Sequence, residues 1–521
     1  MIPFTFSFAF VYFTQIFITI IPEDYWCQVP ELAQLDSGQR QLLAIPKTND
    51  GTFESCKMYD VNYTELLQAG TKIADPTWPI TECRNGWEYD FSDIPYPSIA
   101  TELNWVCSHD AYPHYAVAIF FCGSIVGGLI FGWVADHFGR KPALVGTNLT
   151  GFVASVATVL ATNFWQFAVC RFFVGIAFDN CFTMMYILVL EYVGPSWRTF
   201  VANMNIAIFF TIATTGLPWI AYFTKNWQLL TIITSMTLLI GAVVLFIVPE
   251  SARWLVSEER IDEAIVIMKK FEKVNKKNFD PIIYDRLRQT AHREALKHKE
   301  HKDYTVLDLF KTPRLRKNTI LLILIWMTIS LLFDGHVRQI GNLGLDPFIT
   351  FSVAAATEFP ADTLLTCTLD IWGRRWYAFG SLVLSGLFSI LSSLVDSKKI
   401  AAVLAIIGRF LVNISLNIGL QYSAEVLPTV VRAQGVALVH IMGYVAAILS
   451  PGIIYLNVFN VKLPFIVLGI IGILGGSLSI FLPETLDEDL PDTLEDGEEF
   501  GRHQKIHHAP CCGKQIVETI A

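Results

Sequence analysis

Two short stretches of the sequence bring an Asp, a Gly and two basic side chains together at the end of a long apolar segment. They are Asp136, Gly139, Arg140 and Lys141, and then Asp370, Gly373, Arg374 and Arg375. An arginine binds a carboxylate through two parallel hydrogen bonds, and a glycine permits a tight reversal between two helices. These residues predict a charged turn that is built twice.

Two further motifs repeat with the same shift of 234 positions. A Glu followed seven residues later by an Arg occurs at Glu191 and Glu425, and a Pro-Glu pair occurs at 249–250 and 483–484. Matched motifs at one offset indicate a duplicated half-protein. We interpret the charged residues as two clusters that form in one conformational state and break in another: Asp136, Arg140, Glu191 and Arg198, and Asp370, Arg374, Glu425 and Arg432. A single cluster is more often a passive anchor, but duplication in matched halves favours a gate.

The composition indicates lipid as the solvent. Of the 521 residues, 53% are hydrophobic and 16% are charged, whereas a soluble globular protein has roughly a quarter charged residues. Residues 251–317 hold 17 of the 38 Lys and Arg side chains, while 23–110 holds 15 acidic residues against 5 basic ones. Basic residues gather on the cytoplasmic side of membrane proteins. The basic excess therefore predicts orientation, and no nucleic-acid partner is expected.

Apolar runs near the roughly 20 residues that a membrane span needs divide the chain. The predicted parts are a first transmembrane helix with a shortened start (1–22), an extracellular loop domain (23–112), the rest of the N-terminal helical half (113–248), a central cytoplasmic loop (249–317), a C-terminal six-helix half (318–482) and a cytoplasmic tail (483–521). The expected fold is an all-α polytopic membrane protein with six helices in each half and both termini in the cytoplasm.

The loop domain carries the marks of an oxidising compartment. An even number of cysteines in such a segment predicts two disulfides with three possible pairings, and the sequon at Asn62 predicts N-glycosylation. The four cysteines are Cys27, Cys56, Cys83 and Cys107.

Several motifs resemble those of a known family. GWVADHFGRK at 132–141 resembles the loop signature of the major facilitator superfamily, and PESARWL at 249–255 resembles a motif of the organic cation, carnitine and anion transporters, solute carrier family 22. The segments 83–107 and 424–435 are also similar to that family. The resemblance implies a twelve-helix carrier of small organic ions in the plasma membrane. Tyr444 departs from the family pattern, because it stands where cation carriers place Asp and anion carriers place Arg.

Ionisable side chains inside spans are costly and point to function. Asp179 is the first candidate for binding an amine, with pairing to Arg171 as its structural alternative. Aromatic faces attract ammonium groups by about 0.5–2 kcal/mol each. The predicted substrate-binding residues are Asp179, Tyr186, Trp326, Asp334, Glu358 and Tyr444. His336 beside Asp334 is a candidate proton site.

These observations favour a secondary transporter of small organic cations or zwitterions, such as carnitine-like betaines, amines, carcinine or β-alanine, that works by alternating access. Coupling to Na⁺ or H⁺ and the oligomeric state stay open. An organic-anion exchanger and a transport-inactive scaffold or receptor are the alternatives. The sequence contains no P-loop, His-Glu-x-x-His motif, nucleophile elbow or Cys/His ligand set, so neither an enzyme nor a cofactor or metal is predicted.

Overall fold

The computed structural model describes residues 1–48, 51–194, 201, 204, 206–243, 248–276, 280, 282–298, 304–339 and 345–504. Within these residues the protein is almost entirely helical. The predicted cluster residue Arg198 lies outside them.

One apolar helix and a small disulfide-bonded domain begin the chain. The helix α1 (Ile2–Ile18) buries most of its side chains, because several other helices pack around it. The loop domain contains α2 (Ser37–Ala44), α3 (Tyr63–Gln68), α4 (Ile99–Glu102), β1 (Tyr25–Cys27), β2 (Lys57–Tyr59), β3 (Ile80–Glu82) and β4 (Trp87–Tyr89). Strand β1 pairs antiparallel with β4, and β2 pairs with β3. Disulfides join Cys27 to Cys83 and Cys56 to Cys107, which selects one of the three possible pairings.

The rest of the first half and the central segment follow in sequence. The helices of the half are α5 (Tyr112–His137), α6 (Arg140–Thr158), α7 (Phe164–Ala177), α8 (Asn180–Tyr192), α9 (Thr211–Thr224) and α10 (Trp227–Val243). The central segment contributes α11 (Ala252–Ser257), α12 (Ile261–Val274) and α13 (Ile282–His298). Helix α12 begins with Asp262 and Glu263 and ends with Lys273, an order that suits the helix dipole.

The second half repeats this pattern. Its helices are α14 (Pro313–Gln339), α15 (Pro347–Ala356), α16 (Glu358–Trp372), α17 (Arg374–Leu394), α18 (Lys398–Val426), α19 (Arg432–Ala447), α20 (Ser450–Tyr455), α21 (Leu463–Leu478) and the tail helix α22 (Leu494–Glu499). One apolar core consists mostly of first-half side chains and also includes Phe348 and Phe351 of the second half, and another lies within the second half. In the described part of the chain, 8 helical stretches are long and apolar enough to cross a membrane, and two shorter apolar helices are α1 and α10.

Glycines allow α5 and α7 to touch along their backbones. A Cβ atom at Gly123 or Gly127 would lie 2.1 Å from the carbonyl oxygen of Phe172 or Ile176. Around Gly132 in the same helix, a Cβ atom would meet nothing within 4 Å. Close backbone contact through small residues is a common way of packing membrane helices.

Gly127→Val is therefore expected to lower the melting temperature of the purified protein, because the new side chain forces the two backbones apart. Overpacking typically costs about 1–3 kcal/mol. Gly132→Val is the matched control, since it places the same residue in the same helix at a position with open space. Equal melting temperatures of the two variants would contradict the contact.

Side chains that join the two halves lie at the middle of the bundle and on the side of the loop domain. The Tyr455 hydroxyl donates to Asp110 at 3.1 Å, and Phe17 contacts the rings of Phe348 and Phe351. On the opposite face, which carries the two charged turns, no pair of described residues forms a side-chain hydrogen bond, ion pair or ring contact between the halves. Among the described residues, the contacts that join the halves therefore include these at the middle of the bundle and on the loop-domain side.

Candidate functional site

Aromatic side chains from both halves meet at the middle of the bundle. The Tyr12 ring of α1 stacks on Phe178 at 5.2 Å and on Phe333 of the second half at 6.3 Å. Tyr444, on α19, contacts Phe178 at 6.2 Å and Phe121 at 6.5 Å between ring centroids. These five rings form a continuous aromatic wall, which we call the midplane wall.

Asp179 lies beside this wall. It occupies the single turn between α7 and α8 and is half-buried, with the Tyr444 hydroxyl facing its carboxylate. The Thr183 hydroxyl donates to Asp179 at 3.3 Å. Arg171 does not pair with Asp179 but donates to the Thr158 hydroxyl at 2.6 Å. Among the described residues, Asp179 therefore has no basic partner within ion-pair distance.

Asp334 is fully buried and already has two donors. The Tyr12 hydroxyl donates to it at 2.5 Å, and the Arg338 guanidinium binds it at 2.9 Å. Tyr12 belongs to the first half and Asp334 to the second. The contact therefore links the halves, and it uses a carboxylate whose charge Arg338 neutralises.

Glu358 is also paired. Its carboxylate accepts from Arg409 at 2.8 Å, and both side chains are buried. The Arg409 guanidinium lies over the rings of Phe333 and Phe351, at 5.6 and 5.9 Å from their centroids. Of the three carboxylates predicted to bind substrate, Asp179 is thus the one whose charge is not matched by an arginine.

The remaining predicted site residues are distributed around the wall. Tyr186 contacts Phe182 at 5.7 Å, and Trp326 stacks on His440 at 4.8 Å. His336 is fully buried, and its Nε2 lies 3.0 Å from the Ser389 hydroxyl. It makes no hydrogen bond with Asp334, so the structure does not bring the predicted proton-binding pair into contact.

The charged turns assemble in both halves, but differently. Arg140 binds Asp136 at 2.7 Å, and Arg374 binds Asp370 at 2.9 Å. Arg374 also binds Glu425 at 3.2 Å, as the repeat predicts.

The structure does not show the corresponding pairing of Arg140 with Glu191, which stays a prediction for another conformational state. Glu191 accepts from the Ser251 hydroxyl, as Glu425 accepts from the Thr485 hydroxyl, and the Arg140 guanidinium binds Asp136. Arg432 donates to the carbonyl oxygens of Leu427 and Pro491 and contacts no carboxylate among the described residues. Each cluster lies within one half.

The Pro-Glu repeat supplies two residues that sequence reasoning missed. Glu250 accepts the backbone N–H groups of Arg140 and Lys141, both at 3.0 Å, at the start of α6. Glu484 accepts those of Arg374 and Arg375 at 2.8 and 3.1 Å, at the start of α17. A carboxylate at a helix N-terminus satisfies free N–H groups and suits the helix dipole. The sequence contained a signal for these contacts, because Glu250 and Glu484 are 234 positions apart, as are Arg140 and Arg374.

Comparison with known proteins decides the family. A profile of the sugar (and other) transporter family matches residues 80–494. The carcinine transporter of Drosophila melanogaster is 33% identical over 517 residues, which cover 97% of this chain and 76% of that protein. The human organic cation/carnitine transporter 2 is 32% identical over 94% of this chain and 88% of its own. Human solute carrier family 22 member 13 is 31% identical, with coverage of 95% and 89%. The chain belongs to solute carrier family 22.

The fold of this solute carrier matches solved structures of the major facilitator superfamily. The inward-open Escherichia coli xylose transporter XylE covers 96% of this chain and 98% of its own, with a TM-score of 0.60 and 14% identity. Its partially occluded inward-open form gives a TM-score of 0.58. The predicted all-α fold, with two helical halves and a disulfide-containing loop after the first helix, is confirmed. The protein is a multi-pass membrane carrier for a small molecule.

Three polar residues of this carrier were missed. Asp362 lies one turn after Glu358 and accepts from Asn417 at 2.5 Å. His440 stacks on Trp326. Both Asp362 and His440 are ionisable groups inside an apolar run, which is the signal that singled out the predicted carboxylates. Tyr12 has no such signal, because a tyrosine in an apolar helix is ordinary.

Proposed function

We propose that this solute carrier moves small organic cations or zwitterions, with the cationic group held at Asp179. The observation that carries the proposal is a half-buried carboxylate without a basic partner among the described residues, set beside the midplane wall. A carboxylate and aromatic faces together recognise an ammonium group. Asp334 and Glu358 stay predicted contributors, and their arginine partners reduce the charge that they offer to a ligand.

The names of relatives support this substrate class. Besides the carcinine and organic cation/carnitine transporters, the β-alanine transporter of Drosophila melanogaster is 31% identical over 94% of this chain. All three names describe small molecules with an amine or quaternary ammonium group. Tyr444 is uncharged and cannot select the ligand by charge. Asp179 is therefore the residue that determines whether the ligand is positively or negatively charged.

The same proposal includes alternating access between two states. Described residues of the two halves make contacts on the loop-domain side, and we infer that alternating access opens and closes the face with the charged turns in turn with this one. We infer that the face with the charged turns is cytoplasmic, because Trp254, near the start of the basic segment 251–317, donates to the carbonyl oxygen of Asp136 in the first charged turn at 2.9 Å. Closing it requires the charged turns to approach each other, so the two clusters act as parts of a gate.

Glu484→Gln is expected to weaken the start of α17, because a neutral amide is a poorer acceptor for two N–H groups at a helix N-terminus. Loss of such a cap costs about 1 kcal/mol, which lowers the melting temperature by a few degrees. Glu488→Gln, a change of the same type in the same segment, is the control, since it leaves both N–H contacts intact. A melting temperature of Glu484→Gln equal to that of the control would argue against the cap.

We further propose a plasma-membrane location with both termini in the cytoplasm, Asn62 glycosylated outside, and transport rather than catalysis as the activity. Asn62 is exposed on the loop domain, as a glycosylated residue must be. Whether Na⁺ or H⁺ is coupled to uptake is determined by replacing Na⁺ or shifting the external pH during the assay below.

The test of the substrate class is uptake into cells that express the chain. Radiolabelled carcinine, carnitine, β-alanine, tetraethylammonium and p-aminohippurate are compared with cells lacking it. Saturable uptake of at least one cation or zwitterion is expected. Uptake of p-aminohippurate alone would show an organic-anion exchanger, and no uptake despite surface expression would favour a scaffold.

A further inference from the structure

Two buried arginines, one in each half, have different partners. Arg171-Phe-Phe-Val-Gly in α7 is similar to Arg409-Phe-Leu-Val-Asn in α18, one helical turn away from the shift of 234 positions. Both guanidinium groups are buried, with 2% and 0% of the residue exposed. Arg409 is neutralised by Glu358 at 2.8 Å. Arg171 forms no ion pair with any described carboxylate. Its buried positive charge therefore lacks a counter-charge from the described part of the chain.

The surroundings of Arg171 are polar on one side. Its terminal nitrogen donates to Thr158, whereas Nε has no partner among the described residues. The Thr14 hydroxyl of α1 is also buried without a partner in that part of the chain. Both residues line a small cavity between α1, α6, α7 and α10. Its other polar lining residues are Ser155, Thr231, Thr234 and Ser235.

The cavity has room for one small occupant. It leaves about 10 Å³ for the centre of a water-sized sphere, which corresponds to a single water or an ion of similar size. A carboxylate-bearing substrate does not fit. A water molecule satisfies a hydrogen bond but leaves the charge of Arg171 uncompensated, and a buried charge is stable only when it is paired.

We propose that this cavity binds one monovalent anion, chloride. The anion neutralises the charge of Arg171, as Glu358 neutralises that of Arg409. The anion accepts hydrogen bonds from Arg171 Nε and the Thr14 hydroxyl. Because α1 and α7 supply these donors, the anion fastens the first helix to the rest of its half. The site lies away from the midplane wall: α1 turns Phe10, Val11 and Thr14 towards the cavity and Tyr12 towards the wall.

The test measures the melting temperature of the purified full chain in sodium chloride and in sodium gluconate at equal ionic strength, without substrate. A ligand that binds only the folded state stabilises it. Chloride is expected to raise the melting temperature of the wild type by about 3 °C or more. Equal melting temperatures in both salts would overturn the proposal, whether or not the protein transports cations.

Variants assign the effect to the cavity. Arg171→Gln is expected to abolish the difference between the salts, and a full chloride response in this variant would also overturn the site. Ser155→Asp keeps Arg171 and places a carboxylate in the cavity that neutralises it. The melting temperature of this variant should therefore be the same in both salts. If Arg171→Gln does not fold, Thr14→Val serves instead. It keeps the charge, removes one donor and should raise the half-saturating chloride concentration by about tenfold. An unchanged concentration would contradict the assigned donors.

Discussion

Asp179→Asn is expected to remove most saturable uptake of organic cations and zwitterions while leaving the amount of carrier at the cell surface unchanged. The amide keeps the shape of the side chain and its contact with Thr183 but loses the charge that attracts an ammonium group. Loss of one partner from a desolvated charge pair costs about 2–5 kcal/mol. The half-saturating substrate concentration should therefore rise by a factor of about 30 or more.

The measurement is initial uptake rate against concentration for carcinine and tetraethylammonium. Asp396→Asn is the matched control, because it makes the same chemical change at a side chain that is 95% exposed and binds Lys462 at 3.2 Å. Its kinetics should equal those of the wild type. Wild-type half-saturation in Asp179→Asn would remove this residue from the substrate site.

Glu358→Gln is expected to destabilise the second half strongly. Arg409 would keep its charge in a place where 0% of the residue is exposed, and leaving one member of a buried pair alone costs about 3–5 kcal/mol. Thermal unfolding of the purified variant should show a melting temperature lower than that of the wild type by several degrees.

The double variant Glu358→Gln/Arg409→Met separates the charge effect from packing. Removing the second charge should recover much of the lost stability, because a buried pair can often be replaced by apolar side chains without loss. Asp396→Asn breaks an exposed pair and should change the melting temperature little. If Glu358→Gln were as stable as this control, Glu358 and Arg409 would not be a structural pair.

The repeat in the sequence predicted part of the charged turns and left part undetermined. Arg374 and Glu425 meet as expected, because both lie at helix ends on one face. A hydroxyl donates to the glutamate in both halves, from Ser251 to Glu191 and from Thr485 to Glu425. The difference is that Arg140 binds Asp136, its neighbour in the turn, and not Glu191. Such a choice between two nearby acceptors depends on side-chain rotamers, which spacing does not determine.

Helix geometry explains why Asp334 does not contact His336 and why its ion pair with Arg338 could have been predicted. Asp334 and His336 are two positions apart in α14, so their side chains point in different directions. Asp334 and Arg338 are four apart, which places them on one face, where they form an ion pair at 2.9 Å. The contact of Asp334 with Tyr12 spans 322 positions of the chain and needs the packed halves, so no local pattern predicts it.

Counterflow in proteoliposomes shows whether the carrier exchanges an organic cation and whether Asp179 is needed for it. Purified wild-type protein is reconstituted in vesicles loaded with unlabelled carcinine, and the entry of radiolabelled carcinine is followed with Asp179→Asn in parallel. We expect transient accumulation of label by the wild type and none above empty vesicles by the variant. Accumulation by both proteins would contradict the role of Asp179. Accumulation of p-aminohippurate but of no cation or zwitterion, in matched vesicles, would contradict the substrate class itself.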